Sequence, residues 1–68
     1  MAERVSKERL LHYVDVAIDR AIKVQGYQPS TLQIKGYLLD TVNIKASSSD
    51  IAKCAEIVYR DREREKNS

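Results

Sequence analysis

The chain has 68 residues, of which twelve are basic and ten acidic, and its formal net charge is only +2. A chain this short forms one domain with a small core. Its single cysteine cannot form an intramolecular disulfide, and one cysteine with one histidine is too few for a zinc site of soft ligands. Because basic and acidic residues nearly balance, the composition counts against a dedicated nucleic-acid binder. We expect residues 1–68 to form one domain of marginal stability.

The first predicted helix covers residues 7–25, with Ser6 as its N-cap. Its apolar residues recur at helical spacing and share one side of the helix. They are Leu10, Val14, Ala17, Ile18 and Ala21. Gly26 is expected to end the helix in the left-handed conformation, with Tyr27 making the accompanying hydrophobic contact. Pro29 then prevents the helix from continuing.

The second predicted helix covers residues 31–43 and opens with a capping box of Ser30 and Gln33. Its apolar residues spread over about 220° of the helix, so we expect it to be central and covered by its neighbours. They are Leu32, Ile34, Tyr37, Leu38, Leu39 and Val42. Gly36 costs about 1 kcal/mol relative to alanine in a helix interior, and we expect it to face another helix at close range. Asn43 is predicted to take the left-handed cap, with Ile44 packing back.

The third predicted helix covers residues 48–64, and Ser47 and Ser49 compete as its N-cap. Its inward face consists of Ile51, Cys54, Ala55, Val58 and Tyr59. The next residue on that face is Arg62, so core contact should end near Tyr59 and the charged residues beyond should lie in solvent. We expect residues 1–5 and 65–68 to be frayed. The three helices together predict an all-α, compact three-helix domain.

No residue pattern points to catalysis. His12 lies between Glu8 and Asp15, but we interpret it as a surface histidine on a convex helix face without a pocket. Cys54 is interpreted as a buried filler of the core rather than a reactive thiol. We therefore predict a protein that is not an enzyme, with no catalytic residue, cofactor, metal ion or small-molecule substrate.

The location is predicted from what the chain does not contain. It has no run of about 20 apolar residues that would span a membrane, and its start lacks an apolar leader. The unpaired cysteine fits a reducing compartment. We therefore expect a cytoplasmic protein without a membrane partner.

The favoured prediction of function is a non-enzymatic regulatory or assembly protein that binds another protein, with a homodimer as one form. A core this small often needs the support of a partner. Val16 and Ile57 are apolar but lie outside the core-facing sides of their helices. Lys35 is a charged residue within the apolar arc of the second helix. The predicted partner-binding residues are Tyr13, Val16, Arg20, Lys35 and Ile57.

The alternative prediction is a small helix-turn-helix DNA-binding transcriptional regulator. The serine-rich turn would place hydroxyl and ammonium groups at the start of a recognition helix. These residues are Lys45, Ser47, Ser48, Ser49 and Lys53. However, the connection after Val42 exceeds the usual three- to four-residue turn and lacks a glycine. The third helix also has no Arg or Asn in its first two turns for a bidentate base contact, so nucleic acid is the second choice.

Overall fold

The computed structural model describes residues 6–66, which form three α-helices. They are α1 Lys7–Gln25, α2 Thr31–Thr41 and α3 Ser48–Lys66. Each helix packs against the other two, which confirms the predicted all-α, compact three-helix fold. Of the residues predicted to be frayed, 1–5 and 67–68 lie outside the described range, and 65 and 66 are the last residues of α3. Within residues 6–66, no helix has the length and apolar character needed to cross a bilayer.

Each helix starts immediately after a serine whose hydroxyl accepts a hydrogen bond from a backbone amide three residues later. The Ser6 hydroxyl caps α1 at 3.3 Å. The capping box of α2 is complete: the Gln33 amide donates to Ser30 Oγ at 3.2 Å, and the Ser30 amide donates to Gln33 Oε1 at 3.0 Å. For α3, the Asp50 amide donates to Ser47 Oγ at 3.2 Å, so the structure selects the earlier of the two competing caps.

The ends of α1 and α2 use left-handed residues, as predicted. Gly26 has a φ of 83° and Asn43 a φ of 53°. Because Asn43 takes this conformation, α2 already ends at Thr41, two residues before the predicted boundary. Ile44 packs back into the core as expected. The contact predicted for Tyr27 is wrong, because its side chain is 64% exposed.

The core lies where the three helices meet. Its buried residues on α1 and α3 belong to the inward faces predicted from helical spacing. The whole set is Leu10, Val14, Ala17, Ile18, Ile34, Leu38, Ile44, Ile51, Cys54, Ala55 and Val58. Burying one such large aliphatic side chain stabilises the fold by about 1.5–3 kcal/mol, so these few residues supply most of the favourable energy.

The helix α2 is not the covered central helix that its composition predicted. Ile34 and Leu38 are buried, but Leu32 is 74% exposed and Leu39 is 49% exposed. An eleven-residue helix with neighbours on one side cannot bury an apolar arc that covers more than half of its circumference. The prediction for Gly36 is also wrong: a Cβ at this position would meet no atom within 4 Å. The glycine faces outward and does not mark a close helix contact within the described residues.

The charged residues after Tyr59 are exposed to solvent as predicted, with the exception of Arg62, which is half-buried and pairs with Asp15 on α1. Arg62 Nη2 lies 2.6 Å from Asp15 Oδ1 and also donates to the Asp15 carbonyl at 3.4 Å. Arg62 comes one turn after Tyr59, where contact was expected to end. The two side chains are 36% and 53% exposed, so the ion pair contributes at most about 1 kcal/mol. Its main effect is to hold α3 alongside α1.

Candidate protein-binding surface

A groove with a volume of about 200 Å³ runs between α1 and α2, and we call it the α1–α2 groove. The core residues Ala17 and Ile34 form its base, since they are 3% and 2% exposed. Val24, which is 80% exposed, stands at its rim. The full lining is Ala17, Arg20, Ala21, Val24, Pro29, Gln33, Ile34 and Tyr37.

The depth of the groove follows from the spacing of small residues on α1. Ala17, Ala21 and Val24 lie four and three residues apart, so they share the strip of α1 that faces α2. Alanine at two of these positions leaves space that a larger residue would fill. The resulting volume is below the range of about 300–1,000 Å³ that small-molecule sites occupy. The groove is therefore suited to one large apolar side chain.

The charge at the groove comes from Arg20. Its guanidinium has no ion-pair partner among residues 6–66. By contrast, the neighbouring Lys23 is neutralised by Asp19, with Nζ and Oδ2 3.2 Å apart. None of the residues that line the groove is acidic. The groove thus presents an apolar recess beside an available cation, which favours a ligand that carries a carboxylate.

Side-chain amides hold one end of the groove in place. Gln33 Nε2 donates to Gln25 Oε1 at 3.2 Å, and Gln25 Nε2 donates to the carbonyl of Tyr27 at 3.1 Å. Gln33 also completes the capping box with Ser30. These bonds tie the end of α1, the connecting segment and the start of α2 together. The role of Gln33 in capping was predicted, whereas the bridge from Gln25 was not.

The predicted partner-binding residues are divided between the groove and other surfaces. Arg20 lines the groove, whereas Tyr13, Val16, Lys35 and Ile57 do not. Tyr13 packs against the core, and its ring meets the His12 ring edge-on at a centroid distance of 5.4 Å. Val16 is 39% exposed on α1, and Lys35 and Ile57 are half-buried on α2 and α3. The structure therefore brings one of the five predicted residues to the α1–α2 groove.

Sequence reasoning missed the most exposed apolar residues. Val24 at the groove rim was not singled out, and Leu32 and Leu39 were assigned to the covered arc of α2. A signal for Val24 was available, because it lies seven residues after Ala17 and four after Arg20. The signal for the two leucines was the width of the arc itself, since one helix cannot present so wide a face to neighbours on one side.

His12 lies beside a groove, contrary to the prediction of a convex face without a pocket. This α1–α3 groove has a volume of about 440 Å³. Its lining consists of Glu8, Leu11, His12, Asp15, Val58, Asp61, Arg62 and Glu65. The groove forms because α3 continues alongside α1 as far as the ion pair between Asp15 and Arg62. Its lining contains no serine, threonine or cysteine that would act as a nucleophile, and Asp15 is already paired.

Cys54 is part of the core, as predicted. It is 3% exposed, and its burial raises the pKa of the thiol above the ordinary value. The carboxylate of Asp50 raises this pKa further, while Lys7 lowers it. The thiol therefore stays protonated at neutral pH, which suits a small side chain that fills the core.

Among the residues that the structure describes, no three His, Cys, Asp or Glu side chains are arranged to hold a metal ion.

The residues of the DNA-binding alternative surround the start of α3. Ser47 is engaged as the N-cap, and Asp50 places a negative charge in the first turn. The connection between α2 and α3 covers residues 42–47, which confirms that it is longer than a usual helix-turn-helix turn. The other predicted residues are exposed: Lys45, Ser48, Ser49 and Lys53.

The α1–α2 groove combines an apolar recess, an exposed apolar rim and a cation, Arg20, that has no ion-pair partner within the described part of the chain. No protein-family model, curated protein or solved structure matches the chain. Function is therefore inferred from the geometry and chemistry of the described residues, and this groove provides the most specific combination of both.

Proposed function

We propose that this protein is a non-enzymatic regulatory or assembly protein that binds another protein through the α1–α2 groove. The observation that supports the proposal is Arg20, which forms no ion pair with any of the residues that the structure describes, beside an apolar recess whose rim carries the 80% exposed Val24. An amphipathic helix that binds a groove uses apolar anchors with polar groups beside them. The complementary partner is a helical segment with one large apolar side chain and a carboxylate about one turn away.

The expected affinity follows from the size of the recess. Burying one large apolar side chain contributes about 1.5–3 kcal/mol, and a charge-assisted hydrogen bond to Arg20 about 1.5–3 kcal/mol. Association also costs translational, rotational and side-chain freedom. The two contributions sum to about 3–6 kcal/mol before this cost, so a short helical peptide that uses this groove alone should bind with a Kd no tighter than about 40 µM. Such a contact suits a reversible regulatory or assembly interaction.

Selection from a displayed library of random helical peptides tests this proposal. The enriched peptides should combine a leucine, isoleucine or phenylalanine with an aspartate or glutamate about one turn away. Arg20→Glu should weaken the binding of these peptides by about tenfold or more, because it replaces attraction of the carboxylate by repulsion. Isothermal titration of parent and variant provides the measurement.

Arg64→Glu is the matched control for this experiment. It makes the same change of charge at an exposed position of α3 that does not line the groove. It should leave peptide affinity nearly unchanged. Peptides that bind the Arg20→Glu variant as tightly as the parent, or a library from which nothing is enriched, would contradict the proposal.

DNA binding is the second candidate, and the exposure of Lys45 and Lys53 around the start of α3 favours it. Selection from random duplexes at about 0.15 M salt, where the Debye length is about 8 Å, tests it directly. A DNA-reading protein should enrich one motif, and Lys45→Ala or Lys53→Ala should weaken that binding while Lys23→Ala does not. Our first proposal predicts a pool without an enriched motif.

A further inference from the structure

A second exposed surface lies on α2, on the side away from the core. Leu32, Gly36 and Leu39 are spaced four and three residues apart, so they form one line along the helix. We call this line the α2 ridge. Leu32 is 74% exposed and Leu39 is 49% exposed, and a Cβ on Gly36 would meet nothing within 4 Å. The ridge therefore consists of two accessible leucines on either side of a shallow depression.

The glycine of this ridge has no function within the described residues. An interior glycine costs a helix about 1 kcal/mol relative to alanine, and no neighbouring helix approaches Gly36 to make its small size useful. A helix from another molecule would make use of it, because the absent side chain lets two backbones come close. The leucines would then pack on both sides of the close approach.

Two charged residues flank the ridge on opposite sides. Lys35 is half-buried, Asp40 is exposed, and neither has an ion-pair partner among residues 6–66. In coiled-coil notation, Leu32 and Leu39 occupy d positions and Gly36 an a position. Lys35 then occupies a g position and Asp40 the following e position, which are the positions that pair between neighbouring helices.

This charge pattern matches a second copy of the same helix in one orientation. In a parallel pair, the g residue of each helix lies beside the next e residue of the other, so Lys35 would meet the partner's Asp40 twice by symmetry. In an antiparallel pair, equivalent flanks would meet, and like charges would face each other. Two copies can approach this way because the core face of α2, with Ile34 and Leu38, points away from the ridge.

We propose that the α2 ridge is the contact of a parallel, two-fold symmetric homodimer, held by the two leucines, close approach at Gly36 and the reciprocal pairing of Lys35 with the partner's Asp40. This interface is separate from the α1–α2 groove. An eleven-residue helix is only about 16 Å long, so the contact is smaller than the roughly 1,200 Å² of a stable interface. The dimer is therefore weak and forms at high protein concentration.

Sedimentation equilibrium from low micromolar to about millimolar protein tests the dimer, since this range covers binding free energies from about −8 to −4 kcal/mol. The parent should change from monomer to dimer across it. Leu32→Glu should abolish dimerisation, because it places a charge on the ridge. The variant itself should remain folded, since Leu32 is 74% exposed and an acidic residue suits the first turn of a helix.

Charge exchange tests the orientation and the choice of partner. Lys35→Glu and Asp40→Lys should each weaken the homodimer by about threefold to tenfold, because two attractive pairs become repulsive. The double variant Lys35→Glu with Asp40→Lys should recover the parent's dimer constant. An equimolar mixture of the two single variants should form a heterodimer more strongly than either variant forms a homodimer.

Control variants separate this dimer from the groove and from changes in folding. Arg64→Glu and Arg20→Glu change charge away from the ridge and should leave the dimer constant nearly unchanged. Circular dichroism at low micromolar concentration should show all variants to be folded. A parent that remains monomeric up to millimolar concentration would overturn the proposal. It would also be overturned by a dimer that Leu32→Glu does not affect, or by single charge variants that dimerise like the parent.

Discussion

Leu38→Ala is expected to lower the free energy of unfolding by about 2–5 kcal/mol, whereas Leu39→Ala should lower it by less than about 1 kcal/mol. The two leucines are adjacent on α2, but Leu38 is 0% exposed and Leu39 is 49% exposed. Truncating Leu38 leaves a cavity where the three helices meet. Urea denaturation followed by circular dichroism, at low micromolar concentration to keep the protein monomeric, measures both changes.

The loss at Leu38 should be large relative to the total stability of the domain. At the usual 0.05–0.15 kcal/mol per residue, a chain of this length has about 3–10 kcal/mol in all. The Leu38→Ala variant should therefore lose a large fraction of its stability, and its urea midpoint should lie well below that of the parent. Equal losses in the two variants would contradict the structure, since they would mean that Leu39 is as well covered as Leu38.

The two glycines should respond to alanine with opposite signs. Gly36→Ala should stabilise the protein by about 0.5–1 kcal/mol, because the position is inside a helix and has room for a Cβ. Gly26→Ala should destabilise it by about 1–2 kcal/mol, because a φ of 83° strains a residue with a side chain. Thermal melts at low micromolar concentration should separate the variants by roughly 6–24 °C, given about 4–8 °C per kcal/mol for a domain of this size.

The melts of the glycine variants also decide between two views of Gly36. If Gly36→Ala destabilises the protein at low concentration, this glycine packs closely against a neighbouring helix, as the sequence had predicted. A stabilising effect agrees with an outward-facing glycine. The low concentration matters because, in the proposed dimer, the added methyl group would also affect the contact between copies.

The candidate site was predictable in part. Arg20 was among the partner-binding residues predicted from the sequence, and it does line the α1–α2 groove. The groove itself was not predictable, because its volume depends on how Ala17 and Ala21 are placed against α2. Helical spacing states which residues share a face of one helix, but it does not state how far that face lies from its neighbour.

The sequence by itself determined where α1 and α2 begin and where α1 ends, and it placed the start of α3 and the end of α2 to within two residues. Ser6, Ser30 and Ser47 cap helices through bonds to amides three residues away, and Gly26 and Asn43 take the left-handed conformation that ends them. These interactions join neighbours along the chain, so they can be identified from local residue types and spacing. The inward faces of α1 and α3 were also predictable, because a narrow apolar stripe allows only one rotation of the helix about its axis that buries the stripe in the core.

The tertiary structure alone decided which part of α2 is buried, that Gly36 faces outward and that Arg62 of α3 pairs with Asp15 of α1. The apolar arc of α2 was too wide to specify its rotation, so the packing of α1 and α3 selected Ile34 and Leu38 and left the α2 ridge exposed. The bond between Arg62 and Asp15 joins residues 47 positions apart. Contacts of this kind depend on the angle and rotation of whole helices, which result from packing all side chains at once and not from any local pattern.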